Sequence, residues 1–283
     1  MATFTNFATL SYNGGTTTSN VVTGELLETL SASKTAVMDD YTAKDDVTYV
    51  ITLVNSGTLP LSGLTVTDDL GGYLFEGETV YPLVYTGGSI HYYVNGVPQP
   101  DPAVTAGPPL VIGGINVPAG GNVMLIYEAT VTEFAPLAAE DSITNTAVVT
   151  GGGLAAPLTV SETVETENRA DLTISKSVCP AVVTENGQLT YTFVISNHGN
   201  TPAVATDDVV VSDVFDPILN PIAVTFNGAA WAEGVNYTYD EATGAFATLP
   251  GQITVPAATY SQNEDGTWTV NPGTVILTVT GTV

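Results

Sequence analysis

Apolar and polar residues alternate in short runs along the chain. Examples are Leu30-Ser31-Ala32-Ser33-Lys34, Val47-Thr48-Tyr49-Val50-Ile51-Thr52-Leu53-Val54 and Leu64-Thr65-Val66-Thr67. A period of two places every second side chain on one face of a strand, so each run predicts a half-buried β-strand. Clusters of Gly, Pro, Asn and Asp separate the runs at the spacing of an all-β sandwich. Apolar residues at a 3.6-residue period are scarce, and no helix longer than a turn or two is expected.

The strand pattern is duplicated. A first copy reads LSASKTAV (30–37), DDVTYVITLVNSGTLP (45–60) and LTVTDDL (64–70); a second reads LTISKSVC (172–179), NGQLTYTFVISNHGNTP (186–202) and VVVSDVF (209–215). Lys34 matches Lys176, Tyr49 matches Tyr191, Asn55 matches Asn197 and Gly57 matches Gly199, where 176 − 34, 191 − 49, 197 − 55 and 199 − 57 all give 142. With small gaps the match continues through Asp68 and Asp213, the turns Asn95-Gly96 and Asn227-Gly228, INVPAG (115–120) and ITVPAA (253–258), and IYEATV (126–131) and TVTGTV (278–283). Two tandem sandwich modules follow.

The copies are unequal. Past Val131 the first continues into SITNTAVVTGGGLAAPLTVSETVE (142–165), two alternating runs around a Gly-rich turn that predict a closing β-hairpin. The second copy stops at Val283, the position matched to Val131, and an unassigned hairpin, residues 4–28, stands at the other end of the sequence. There Phe4-Thr5-Asn6-Phe7-Ala8 matches Ile143-Thr144-Asn145-Thr146-Ala147, and Asn13-Gly14-Gly15 stands where the closing hairpin has Gly151-Gly152-Gly153. The expected organisation is an N-terminal donor hairpin (1–28), a complete first sandwich (29–168) and a second sandwich (169–283) lacking its closing hairpin.

A sandwich without its last strands exposes unpaired backbone groups and an open apolar interior. The N-terminal hairpin could close it within its own chain, or close the second module of the next chain by donor-strand complementation. Folding back would have to pass a module spanning roughly 40 Å, and Glu25-Leu26-Leu27-Glu28-Thr29 offers almost no linker. Exchange between chains is heterologous and non-closing, so it yields a filament. The residues expected to insert are Phe4, Asn6, Phe7, Ala8, Leu10, Tyr12, Val21, Val22 and Leu26. A third arrangement, in which 4–28 merely decorates the first module, leaves the second without its strands.

Charge narrows the function further. Lys plus Arg number 4 and Asp plus Glu 29, a net charge of −25. So few cations cannot neutralise phosphates, which excludes nucleic acid as the main partner and disfavours anionic lipid. The apolar fraction is 44% and the mean hydropathy +0.24, well above a disordered acidic segment. One cysteine, Cys179, and two histidines, His91 and His198, leave no intramolecular disulfide and little for a transition metal. No run of 18 apolar residues predicts a transmembrane helix, and Met1-Ala2-Thr3-Phe4-Thr5-Asn6 lacks the features of a signal peptide.

The order of a K-T near a first strand, T-Y-x-I-x-x-x-N-x-G, V-T-D and I-T-N-T-A resembles the domain-of-unknown-function-11 repeat of bacterial surface proteins and the isopeptide-forming fimbrial domains related to it. The resemblance covers nearly the whole chain. It implies immunoglobulin-like sandwiches in an extracellular or cell-surface fibre, stalk or wall protein, without enzymatic activity. In the fimbrial domains a lysine of the first strand attacks an asparagine of the last strand, assisted by a buried acid. The matching residues are Lys34, Asp68 and Asn145 in the first module, and Lys176, Asp213 and an Asn6 from another subunit in the second. The alternative for each set is an ion pair with an asparagine hydrogen bond and no covalent link.

Other features are weaker. The doublets Asp39-Asp40, Asp45-Asp46, Asp68-Asp69 and Asp207-Asp208 could hold Ca²⁺, but none has EF-hand spacing, so the expectation is no cofactor and no metal site. Tyr85, Tyr92, Tyr93, Trp231, Tyr237, Tyr239 and Trp268 could form a glycan platform, although period-two aromatics more often pack across strands. Cys179 is expected in the core. Hydrolase, dinucleotide and P-loop motifs are absent. The expected function is a head-to-tail homopolymeric filament subunit; the alternative is a monomeric adhesin or glycan-binding stalk for a host or glycan ligand.

Overall fold

A computed structural model describes residues 2–283, without the side chains of Ala2 and Leu26. Leu26 was named for the donor hairpin; its backbone ends the strand Val22–Leu26, and its side chain lies outside the described residues. The fold is all-β. Among the described residues the helical content is one 3-10 turn, Ala205–Asp207, and no helix is long and apolar enough to cross a membrane.

The chain forms two compact units. One holds residues up to Ala135 together with 142–165, and the other holds 136–141 with 166–283. Segment 136–141 belongs with the second because Asp141 O accepts the Thr166 amide and Leu137 O accepts Asn200 Nδ2.

The first unit is a sandwich of two six-stranded sheets. In one, Asn122–Val131 lies between His91–Val94 and Asp46–Asn55, with Leu30–Ala36 at the edge beyond Asp46–Asn55. In the other, Leu61–Asp68 lies between Leu110–Val117 and Ser142–Gly151, followed by Leu158–Thr166. The alternation read from the sequence sets the core: Val47, Tyr49, Ile51 and Leu53 are fully buried from one sheet, and Leu64, Val66, Ala147 and Val149 from the other. Hairpin turns follow the Asn-Gly signal, with positive φ at Asn95 (50°) and Gly96 (76°), as a two-residue I′ turn requires.

The repeated Asn-x-Gly has a structural cause. Asn55, fully buried, accepts the Gly57 amide on Oδ1 at 2.9 Å and donates Nδ2 to the carbonyls of Leu59 and Pro118. Asn197 repeats this with Gly199, Thr201 and Pro256. One amide thus satisfies several loop groups that the interior would leave unpaired. Asn55→Ala is expected to cost about 2–4 kcal/mol through those orphaned groups, read as an earlier unfolding transition of the first unit in urea.

The second unit has the same first sheet and a depleted second one. Gln188–Asn197 lies between Leu172–Cys179 and Gly273–Thr282, followed by Ile222–Phe226 and Ala229–Trp231. Lys176 stands opposite Phe193 as Lys34 stands opposite Ile51, so the 142-residue offset holds in the strand register. The facing sheet has three strands, Ser212–Val214, Ala245–Thr248 and Tyr237–Asp240. Residues 253–258, matched in sequence to a strand of the first copy, form only the bridge Ala203–Val255.

One expectation needs correction. Cys179 is exposed, because its strand Leu172–Cys179 is an edge strand whose inner face is largely uncovered. Much of the aromatic set packs, as the period-two spacing favoured over a glycan platform: Tyr85, Tyr92, Tyr237 and Tyr239 are buried, and Trp231 stacks on Phe226 at 4.9 Å between centroids.

Residues 2–26 form a hairpin of two successive ladders. Ala2–Asn6 pairs with Val22–Leu26, and Thr9–Tyr12 pairs with Gly15–Thr18 around Asn13-Gly14. Among the described residues, these strands pair only with each other. Phe4 (57%), Leu10 (64%) and Tyr12 (73%) remain largely exposed, as do Phe7, Val21 and Val22.

Candidate functional site

The first unit brings Lys34, Asp68 and Asn145 together in its dry interior. Lys34 projects from the edge strand Leu30–Ala36 toward Asp68 at the end of Leu61–Asp68 in the facing sheet. Lys34 Nζ lies 2.6 Å from Asp68 Oδ2, with both side chains fully buried. Asp68 Oδ1 accepts the Leu70 amide at 3.0 Å. Asn145, from Ser142–Gly151, is fully buried.

Tyr127, which the sequence reading did not single out, joins them. Its hydroxyl donates to Asp68 Oδ2 at 2.5 Å and accepts Asn145 Nδ2 at 3.5 Å. A chain of polar contacts therefore runs from Lys34 through Asp68 and Tyr127 to Asn145. The one available signal was the difference between the copies, since Tyr127 matches Val279: both stand opposite the repeated tyrosine, Tyr127 across from Tyr49 and Val279 across from Tyr191.

Electrostatics follow from burial. Desolvation pulls the Lys34 ammonium below the usual lysine range, against the attraction of Asp68, so a neutral amine is more accessible here than in water. Burial, reinforced by the Asp68 charge, pushes the Tyr127 phenol well up, which keeps it a proton donor. Asn145 Oδ1 is buried without a hydrogen-bond partner, as is the hydroxyl of Tyr49, so the site holds an unpaired acceptor.

The second unit repeats half of this arrangement. Lys176 pairs with Asp213 Oδ2 and lies over the Tyr191 ring at 4.5 Å from its centroid. Here the side chains are 40% and 18% exposed, against 0% for both members of the first pair. Phe215 stacks on Tyr191 at 5.0 Å, as Tyr127 stacks on Tyr49 at 5.6 Å, so the ring against the repeated tyrosine is a phenyl in the second unit and a phenol in the first. A groove of about 360 Å³ opens beside the pair, lined by Ile174, Lys176, Phe193, Val211 and Asp213 among others.

The cause is topological. In the first unit Leu61–Asp68 is flanked on both sides, by Leu110–Val117 and by Ser142–Gly151. In the second, Ser212–Val214 pairs, among the described residues, only with Ala245–Thr248. The open edge is the one that carries Asn145 in the first unit. Asn6, the remaining predicted site residue, lies in the hairpin ladder opposite Val22.

Asp45 and Asp69 of the acidic doublets accept hydrogen bonds from nearby backbone and side-chain donors. Asp45 Oδ2 accepts the Thr42 amide and hydroxyl, and Asp69 Oδ1 accepts the amides of Gly71 and Thr146.

No family model matches the chain, and no curated protein matches it. Among solved structures it is similar to the major pilin subunit BcpA of Bacillus cereus, at 14% identity and TM-score 0.36, over 96% of this chain and 73% of that one. It is similar to the pilus backbone RrgB of Streptococcus pneumoniae at 11% identity and TM-score 0.33, over 87% of this chain; it spans 56%, about half, of that protein. A collagen-binding domain of a Staphylococcus aureus adhesin matches at 12% identity and TM-score 0.31, over 47% of this chain and 96% of the domain.

Proposed function

We propose that the chain is a structural subunit of an extracellular filament, a homopolymer in which residues 1–28 of one copy complete the second sandwich of the next. The observation that carries this reading is the paired deficit and surplus: an open edge beside Ser212–Val214, and a hairpin whose Phe4, Leu10 and Tyr12 are more than half exposed. Exposed apolar strands and an unpaired sheet edge each favour association, and each supplies what the other lacks. Such a contact joins two different surfaces, so it propagates as a fibre. The buried aromatics speak against the glycan-binding alternative, and the low basic content leaves few sites for trypsin-like proteases outside the cell.

Covalent reinforcement is the second part of the proposal. Lys34 transfers a proton to Asp68, and its neutral Nζ attacks Cγ of Asn145. The Cγ–Nδ2 bond breaks and ammonia leaves, carrying a second proton from Nζ, while Asp68 ends protonated. The product is a Lys34–Asn145 isopeptide bond, about 17 Da lighter than its precursor. The dry pocket supports both steps by freeing the amine and excluding water. Lys176, Asp213 and an incoming Asn6 would link subunits in the same way.

Deletion of residues 1–28 is expected to abolish fibres in electron micrographs while the first unit stays folded; fibres that persist would refute hairpin exchange. The intact mass tests the internal bond, with the 17 Da deficit lost in Lys34→Ala. A ladder that survives boiling in SDS and disappears in Lys176→Ala tests the joint.

A further inference from the structure

Hairpin exchange leaves open how the incoming strand is aligned, and a strand slipped by one residue would turn every inward side chain outward. The first unit contains the closed version of the same contact. There Ala147 stands opposite Asp68, Val148 opposite Thr67 and Val149 opposite Val66, with the Asp69 amide donating to Thr146 O. Ile143, Asn145, Ala147 and Val149 face inward and are buried.

Resting on the filament reading, we propose a specific register. Residues 8–12 of a second copy run antiparallel along 209–213, with Ala8 opposite Asp213, Thr9 opposite Ser212 and Leu10 opposite Val211, and residues 4–7 continue the strand beyond Asp213. Phe4, Asn6, Ala8 and Leu10 then enter the second sandwich. Asn6 takes the place of Asn145, beside Lys176 and Asp213.

Three observations support this alignment. The acceptor sequence VVVSD (209–213) repeats LTVTD (64–68), and Val209 and Val210 belong to no strand, although their counterparts do: Leu64 is paired on both sides, and Thr65 is paired with Thr150 on the side of the closing hairpin. The groove lies where the inward side chains would go, bounded by Ile174, Ser175 and Lys176 on one side and by residues 210–213 on the other.

The third observation concerns volume. Ile143 stands opposite Val164 in the closing hairpin, and both are buried. In the donor hairpin the corresponding pair is Phe4 opposite Gly24. A Cβ on Gly24 would lie 2.3 Å from Phe4 Cζ, so the ring occupies the space of the missing side chain. A large and a small residue replace two of middle size, an exchange that conserves the volume presented to a core. Phe7 and Thr9 fall on the outward face, with Thr146 and Val148 as their counterparts.

Paired cysteines test the register in the full-length chain carrying Cys179→Ser and Lys176→Arg. The second substitution keeps the charge and removes the amine needed for the proposed isopeptide joint, so that any SDS-stable link is a disulfide. Thr9→Cys with Ser212→Cys places two thiols on directly opposed residues about 5.5 Å apart at Cα, within disulfide reach. Oxidation is expected to give an SDS-stable ladder of dimers and higher species that dithiothreitol collapses to monomer. Ser11→Cys with Ser212→Cys, two residues out of step, is expected to stay monomeric. A ladder from the second pair and not the first would overturn the register while leaving the filament intact. So would filaments in micrographs with no disulfide from the first pair. A disulfide closed within one chain would assign the groove to the chain's own hairpin and overturn the second copy as its occupant. If the Cys179→Ser parent forms no filaments at all, the filament reading fails, and the register falls with it.

Discussion

Asp68→Ala is expected to unfold the first unit early, by about 3–5 kcal/mol, because it leaves the fully buried Lys34 ammonium without its counter-charge. It also strips the Tyr127 hydroxyl of its acceptor, and it removes the acid the proposed crosslink requires, so the 17 Da deficit should vanish as well. Asp213→Ala removes the equivalent carboxylate and should cost no more than about 1 kcal/mol in the unassembled chain, since Lys176 is 40% exposed and water can replace the lost partner. Urea unfolding, with one tryptophan-free unit and one that carries Trp231 and Trp268, separates the two transitions. At a typical slope of about 1–3 kcal/mol per molar urea, the first substitution should move its midpoint by one molar or more. Equal shifts in both units would mean that the open pair is already as dry as the closed one.

The second large effect is expected at the hairpin. Leu10→Asp should abolish filaments and leave both units folded, because Leu10 is 64% exposed before assembly and faces the apolar interior after it. A carboxylate is harmless in the first state and costs several kcal/mol in the second. Each 1.4 kcal/mol weakens the joint tenfold, so the critical concentration should rise by at least about a hundredfold. Phe7→Ser is the matched control: Phe7 is similarly exposed at 58% but falls on the outward face, and it should shift assembly much less. Sedimentation of a dilution series measures both. If Phe7→Ser disrupts filaments as strongly as Leu10→Asp, the inward and outward faces have been exchanged. The Leu10→Asp chain is also the non-assembling background in which Asp213→Ala is measured.

Local patterning and duplication made much of this molecule legible in advance. Strand faces follow from period-two alternation, and in the alternating run 47–54 it is Val47, Tyr49, Ile51 and Leu53 that are buried as a set. The Asn-Gly turns follow from backbone sterics, the repeat matched Lys34 to Lys176 on the first strand of each sandwich and Asp68 to Asp213, and the family resemblance grouped Lys34 and Asp68 with Asn145 of the closing hairpin. These are properties of short segments, or of two segments compared.

Tertiary structure decided what depends on neighbours distant in sequence. Tyr127 entered the site because its strand lies beside Asp46–Asn55 and points across the sandwich at Asp68, a proximity no spacing encodes. Cys179 is a small apolar side chain in an alternating run, yet it is exposed, because burial depends on whether a second layer covers the strand. Lys34 and Lys176 sit in nearly the same local sequence and differ from complete burial to 40% exposure for the same reason: one has Ser142–Gly151 over it and the other an empty edge. The sequence by itself determined which residues face inward on each strand; packing decided which of those faces is covered, since desolvation is a property of the assembled layers and not of any one strand.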